Sequence, residues 1–122
     1  MLKLVFPLRR LATLSREQFQ KYWLETHGPL VRRHAQALHI RRYVQLHTVD
    51  DPLNAVLRES RGAEEPYDGV AELWWDSRED LERTLATPEA QQAARELLED
   101  EKRFIDLARS ALWLATERPI LP

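Results

Sequence analysis

The chain has 122 residues, of which 43% are hydrophobic and 31% charged, so we expect one folded domain over residues 1–122 and exclude a disordered or fibrous protein. Eighteen Lys and Arg against twenty Asp and Glu give a formal net charge of -2, which favours neither nucleic acid nor an anionic membrane as a partner. The absence of cysteine excludes disulfides, a thiolate nucleophile and cysteine-bound zinc or iron–sulfur sites.

The amino-terminal segment is short and apolar, and Arg9 and Arg10 follow it closely. It is too short for the apolar region of a signal peptide, and no apolar run approaches the ~20 residues that a membrane span needs. We therefore predict a strand over Leu2–Leu8 and a cytoplasmic protein without a membrane anchor.

The first predicted helix begins at Ser15, which forms a capping box with Gln18. Over residues 19–38 the apolar and aromatic positions are three or four apart, so they form one stripe that faces the core. Pro29 lacks an amide hydrogen and its ring crowds the carbonyl one turn earlier. We therefore predict a kink at residues 25–29.

The remaining elements complete an alternating order. We predict a second strand over 40–49, one or two helical turns over 53–58, a mobile loop over 59–66, a third strand over 68–75, a helix over 77–86 that restarts at 87 and runs to about 99, a final turn over 104–108 and a fourth strand over 111–116. This order is the split βαβ pattern, which predicts a ferredoxin-like α+β fold with a four-stranded antiparallel sheet.

Helices on one side of such a sheet leave its other face open. We expect that face to carry Trp74 or Trp75, with Tyr43 and Trp113. Burying one large aromatic side chain contributes about 1.5–3 kcal/mol, and a patch of several exceeds what monomers usually expose. We therefore predict a homodimer in which the two sheet faces pack together.

Residues 19–31, FQKYWLETHGPLV, contain a Tyr-Trp pair that precedes a His, a small residue, a Pro and an aliphatic residue. This segment resembles the signature of EthD-type proteins in the dimeric α+β barrel superfamily, and residues 42–47 and 67–74 are similar to that family's second and third strands. The family includes fungal polyketide-tailoring dehydratases, and related barrels include muconolactone isomerases, polyketide cyclases and cofactor-free monooxygenases. The resemblance implies a small organic substrate in a cavity between sheet and helices, and no cofactor.

His27 is the first candidate catalytic residue, because it lies on the apolar stripe directly before the Gly28-Pro29 interruption. A neutral imidazole there can bind a carbonyl with one nitrogen and act as a general acid or base with the other. The alternative is that His27 is structural and only binds a backbone carbonyl left without a partner at the interruption. Glu72 is the second candidate, a buried carboxylate of raised pKa that would form an acid–base pair with His27, or else an ion pair with an arginine.

Tyr43, Gln45 and His47 alternate along the second strand, so they project from one face. We predict that Tyr43 and Gln45 orient the substrate and that His47 takes part in catalysis. The alternative is a row of polar residues at a subunit interface or a sheet edge.

Trp23 and Trp74 are candidates for a wall on which a flat substrate stacks, and His34, two turns after His27, is a further candidate for substrate contact. The alternative for each is a structural role: the tryptophans would pack in the core or in an interface, and His34 would lie on the flank of the helix. The histidines at 27, 34 and 39 are seven and five residues apart, which does not match the i,i+4 spacing of a helical metal site. We predict no metal site.

The sequence therefore favours a cofactor-independent acid–base enzyme, a lyase such as a dehydratase, an isomerase or a cyclase, acting on a small aromatic or polyketide-like molecule. Two alternatives stay open. One is a cofactor-free monooxygenase of the same fold, and the other is a non-catalytic binding or accessory protein.

Overall fold

A computed structural model describes residues 1–122. Its strands are β1 (Leu2–Leu8), β2 (Arg42–His47), β3 (Gly69–Trp75) and β4 (Trp113–Ala115). Its α-helices are α1 (Arg16–Tyr22), α2 (Gly28–His34), α3 (Leu53–Arg61), α4 (Arg78–Arg83) and α5 (Pro88–Glu101). A π-helical turn (Trp23–His27) joins α1 to α2, and a 3-10 turn (Leu107–Arg109) precedes β4. None of the helices combines the length and the apolar character needed to cross a membrane.

The four strands form one antiparallel sheet in the order β2-β3-β1-β4. This is the strand order of the ferredoxin-like fold, so the predicted fold class is confirmed. β2 and β4 are the edge strands. Their positions matter for the site, because one long side of β2 stays free of a neighbouring strand.

Helices α1, α2 and α5 cover one face of the sheet and form two buried apolar clusters there, to which α3 contributes no residue. The first joins β1 and β3 to α1, the π-helical turn and the segment after α5; its members are Phe6, Leu8, Phe19, Trp23, Ala71, Phe104 and Ile105. The second joins α2 and the residues after it to α5; its members are Val31, Leu38, Ala90, Ala93 and Leu97. Together they fix the helix layer on the sheet.

In place of the kink predicted at residues 25–29, the structure has the π-helical turn over Trp23–His27. Pro29 has no amide hydrogen to donate one turn back, and the bonds before it widen, so that the Gly28 amide donates to the Trp23 carbonyl five residues earlier. The chain stays helical through this turn, and both Trp23 and His27 are buried. The apolar stripe therefore continues across the proline.

Several element boundaries differ from the predicted ones; β2, for example, covers only Arg42–His47 of the predicted 40–49. α3 runs to Arg61 and ends at Gly62, whose φ of 58° is the left-handed conformation typical of a helix C-terminus. The predicted loop over 59–66 therefore begins later. β4 is also shorter than predicted and covers only Trp113–Ala115.

Gly69 begins β3 directly under the indole of Trp23. A Cβ at this position would lie 2.4 Å from Cζ3 of Trp23 and 2.8 Å from the carbonyl oxygen of Leu46. Because the carbonyl belongs to the neighbouring strand, we expect Gly69→Ala to lower the free energy of unfolding by about 2–3 kcal/mol, measured by urea denaturation.

Gly28→Ala is the matched control. A Cβ there would meet its nearest neighbour, Nε2 of Gln45, at 3.4 Å, and alanine favours the helix. Its stability is expected to equal or slightly exceed that of the unmodified chain. An equal loss in both variants would show that the contact between Gly69 and Trp23 is not the cause.

The open sheet face carries fewer bare aromatic groups than predicted. Tyr43 pairs with Leu73 across the strands and faces the helices, so its predicted place on the open face is wrong. Trp74 does lie on the open face, paired in register with Lys3 and Arg42. Trp113, 49% exposed, shares that face.

Trp74 is nevertheless only 5% exposed. The ammonium of Lys3 and the guanidinium of Arg42 lie 4.8 and 4.6 Å from its ring centroids, and its indole N–H donates to Glu117 at 2.9 Å. The chain thus shields this tryptophan with its own charged side chains.

Candidate functional site

A cavity of about 200 Å³ lies between the sheet and the helices. Most of its wall is apolar and comes from all layers of the fold: Leu4, Phe6, Leu8, Trp23, Val31, Leu38, Ile40, Ala71, Leu73, Trp75, Ala94, Leu97, Ile105 and Leu112. His27, Tyr43 and Glu101 bring the polar groups. An apolar space with a few convergent polar groups is typical of a small-molecule site, and a cavity of ~150 Å³ already admits a benzene ring.

His27 is held by Asp100 from the end of α5. Nδ1 of His27 lies 2.8 Å from Oδ2 of Asp100, and both residues are buried. A carboxylate only accepts hydrogen bonds, so Nδ1 carries the hydrogen and Nε2 is left as an acceptor without a partner in the protein. Burial lowers the pKa of His27 and outweighs the opposing effect of Asp100, so the neutral form is favoured.

Asp100 has partners on its other oxygen. The Tyr22 hydroxyl donates to Oδ1 at 2.5 Å, and the Arg103 guanidinium lies 3.7 Å from the same atom. Burial and the bond to Asp100 raise the pKa of Tyr22, which keeps that hydroxyl a donor. These contacts fix the carboxylate that orients His27.

Glu101 follows Asp100 and lines the same cavity as His27. Its carboxyl group is half-buried and forms no hydrogen bond within the chain. Burial, with a smaller contribution from the Asp100 charge, raises the pKa of Glu101 from 4.5 to about 7. It can therefore bind or release a proton near neutral pH.

The structure places Tyr43, Gln45 and His47 on the helix-facing side of β2, in one hydrogen-bonded row. Nε2 of Gln45 donates to the Tyr43 hydroxyl at 2.8 Å and to the Trp23 carbonyl at 2.9 Å, while Nε2 of His47 donates to Oε1 of Gln45 at 2.8 Å. Because the Tyr43 hydroxyl accepts from Gln45, its own hydrogen stays available. Burial raises the pKa of Tyr43 to about 12, so it remains a neutral donor.

His47 is not brought to His27. It lines a surface groove beside β2, and its ring stacks on that of Trp23 with centroids 4.7 Å apart. Burial lowers the pKa of His47. The two predicted catalytic histidines therefore face different spaces.

The predicted acid–base pair of His27 and Glu72 is wrong. Glu72 binds Lys3 at 2.9 Å on the open sheet face, whereas His27 lies on the helix side. Trp74 is on that open face too and does not line the cavity. Trp23 does line it, together with Trp75, whose indole N–H donates to the Leu38 carbonyl.

His34 lies outside the cavity as well. Its Nε2 is 2.7 Å from a carboxylate oxygen of Glu96, between α2 and α5, but the geometry does not make a well-formed hydrogen bond. This position suits a contact between helices. No group of three or more His, Asp or Glu side chains is arranged to hold a metal ion.

Sequence reasoning missed Asp100 and Glu101. The acidic run at the end of α5 opposes the helix dipole, which by itself indicates only a helix end that frays. A signal was nonetheless present, because the buried positions 90, 93, 97 and 100 of α5 are three or four residues apart. An aspartate that continues an apolar stripe indicates a buried carboxylate with a specific partner.

Comparison with known proteins bears on both the fold and the site. A family model described as EthD domain matches residues 11–108, which include His27, Asp100 and Glu101. No curated protein matches the chain in sequence.

Several solved structures are similar to the whole chain. An EthD family protein from Bacillus halodurans C-125 is 20% identical with a TM-score of 0.63, covering 97% of this chain and 99% of that one. A dimeric protein of unknown function and ferredoxin-like fold from Bacteroides fragilis NCTC 9343 is 10% identical with a TM-score of 0.57, covering 93% of each chain. SnoaB, a cofactor-independent oxygenase from Streptomyces nogalater, is 16% identical with a TM-score of 0.57, covering 99% and 96%. At these identities the likeness shows a shared fold.

Proposed function

The chain belongs to the EthD family, and from that membership and the cavity we propose a cofactor-independent acid–base enzyme acting on a small aromatic or polyketide-like molecule. A dehydratase, an isomerase and a cyclase all need a proton removed at one atom and delivered at another. The observation that carries the proposal is the presence of His27 and Glu101 in one apolar cavity, one with a free nitrogen and the other with a pKa of about 7.

His27 acts as the general base. Its neutral ring presents Nε2, which accepts a proton from a carbon next to a substrate carbonyl, while Asp100 holds the ring and stabilises the imidazolium that forms. The lowered pKa of His27 keeps the base unprotonated at neutral pH.

Glu101 acts as the general acid and Tyr43 as a hydrogen-bond donor. As the proton leaves carbon, electrons move to the carbonyl oxygen, where the free hydrogen of the Tyr43 hydroxyl stabilises the negative charge. Protonated Glu101 then supplies a proton to that oxygen or to a departing hydroxyl group. The apolar wall excludes water and so strengthens the interactions of Tyr43 and Glu101 with the substrate.

The test is proton exchange in deuterated water. Purified protein is mixed with a panel of small phenolic and aromatic ketones, and NMR follows the loss of the proton next to the carbonyl and any product. We expect exchange faster than in buffer for at least one compound, without dioxygen. Dioxygen consumption with no exchange would favour the monooxygenase, and inertness toward the panel would favour a binding protein.

We also propose that two copies pack through their open sheet faces. Leu46 and Trp113, 46% and 49% exposed, lie on that face and would be buried in such a dimer. Leu46→Glu places a charge in the contact and is expected to convert the dimer to a monomer, measured by sedimentation velocity.

Leu85→Glu is the control, because Leu85 is 73% exposed in the turn after α4, on the helix side. It should leave the sedimentation coefficient unchanged. A monomeric unmodified chain at micromolar concentration would overturn the proposal.

A further inference from the structure

A second, open space lies on the outside of the cavity wall. It is a groove of about 760 Å³ between α2 and the free side of edge strand β2. The π-helical turn contributes to one end through Leu24, and Gln45 and His47 form part of its floor. The acid–base mechanism above makes no use of it.

The groove and the cavity share part of their walls. Val31, Ile40 and Tyr43 line both spaces. The Tyr43 hydroxyl, which we assigned to the substrate oxygen, therefore belongs to a side chain at the junction. The ring of a molecule bound in the cavity is therefore separated from the groove only by these three side chains.

The groove is positively charged in a chain whose net charge is -2. Its lining contains Arg32, Arg41 and Arg42 and no Asp or Glu. Arg41 is paired with Asp76 at 2.8 Å, and Arg42 lies over Trp74. Arg32 is exposed and forms no ion pair with any carboxylate of the chain, so its guanidinium is free to bind one from a ligand.

We propose that this groove binds the carboxylate of an aromatic acid substrate, with Arg32 as its principal partner, while the apolar ring enters the cavity past Tyr43. The proposal rests on the proposed function and narrows its substrate to anionic molecules. An arginine can hold a carboxylate through two parallel hydrogen bonds, which positions as well as attracts the ligand. The distance from ring to carboxylate then decides which carbon faces His27.

The test compares two probes of nearly equal shape, 3-phenylpropionate and 3-phenylpropanamide, by NMR titration of the nitrogen-15-labelled protein. The acid is expected to bind about fivefold to tenfold more tightly than the amide, with a preference that weakens at high salt. Arg32→Gln is expected to remove the preference and leave amide binding unchanged. Arg61→Gln, which removes an exposed charge at the end of α3, should keep it.

Equal affinities for acid and amide would overturn the proposal, as would an undiminished preference in Arg32→Gln or the absence of binding of the acid up to millimolar concentration. The backbone amide spectrum of each variant, recorded without a probe, reports whether that variant is folded. Binding is measured without turnover, so the two proposals can fail separately. If the protein prefers the acid but catalyses no proton exchange, only the proposal of an acid–base enzyme fails. If it exchanges protons of neutral ketones but does not prefer the acid, only the proposal for the groove fails.

Discussion

Replacing His27 with glutamine is expected to slow proton exchange in the best substrate of the panel about a hundredfold or more. Glutamine can still donate a hydrogen bond to Asp100, so the buried carboxylate keeps a partner, but it offers no basic nitrogen to the cavity. The melting temperature should change little. NMR exchange rates and thermal unfolding measure the two properties separately.

His34→Gln is the matched control, because it makes the same substitution two turns further along the helical segment. His34 faces Glu96 and not the cavity, so exchange should continue at the unmodified rate. The exchange rate of Asp100→Asn should lie between those of His27→Gln and His34→Gln, since asparagine can bind Nδ1 of His27 but stabilises an imidazolium less well. Unchanged exchange in His27→Gln would remove the assigned base.

Glu101 is expected to make the protein less stable as the pH rises. Its pKa is about 7 in the folded chain and 4.5 ordinarily, so unfolding releases a proton between these values. The stability that it contributes is fully present below pH 4.5 and lost as the pH rises through about 7. At about 1.4 kcal/mol for each pH unit, the loss is about 3 kcal/mol.

Glu101→Gln should therefore be more stable than the unmodified chain above pH 7 and nearly equal to it below pH 4.5, measured by urea denaturation across this range. His27 and His47 titrate in the opposite sense, because their lowered pKa values make stability rise with pH. Both histidines are present in both proteins, so the difference in free energy of unfolding between Glu101→Gln and the unmodified chain reports Glu101 alone. Glu99→Gln, at an exposed neighbouring carboxylate, should reproduce the unmodified curve, and parallel curves for Glu101→Gln would contradict a raised pKa.

The order of elements could be predicted because it depends on local patterns. Ser15 and Gln18 do form a capping box, and the N-terminal strand covers Leu2–Leu8 as predicted. Hydrophobic spacing and capping act within one or two turns of chain. Such signals can be interpreted without knowing what packs against them.

The site could be predicted only in part, because it depends on contacts between distant elements. His27 was found from its place before a proline, but its partner Asp100 is 73 residues away. The error at Glu72 has another cause. Alternate residues of a strand face opposite ways, and the sequence did not decide which of the two apolar faces of β3 lies under the helices.

The π-helical turn carries one residue more than the α-helical path that it replaces. That surplus sets the angular phase of everything after it, since one residue of helix corresponds to a rotation of about 100°. A deletion of one residue at Leu24 or Glu25, both exposed, would let this turn close as a regular α-helix and would keep the orientation of α2 relative to α1. Natural variants should therefore tolerate the loss of one residue on this outer surface far better than the gain of one.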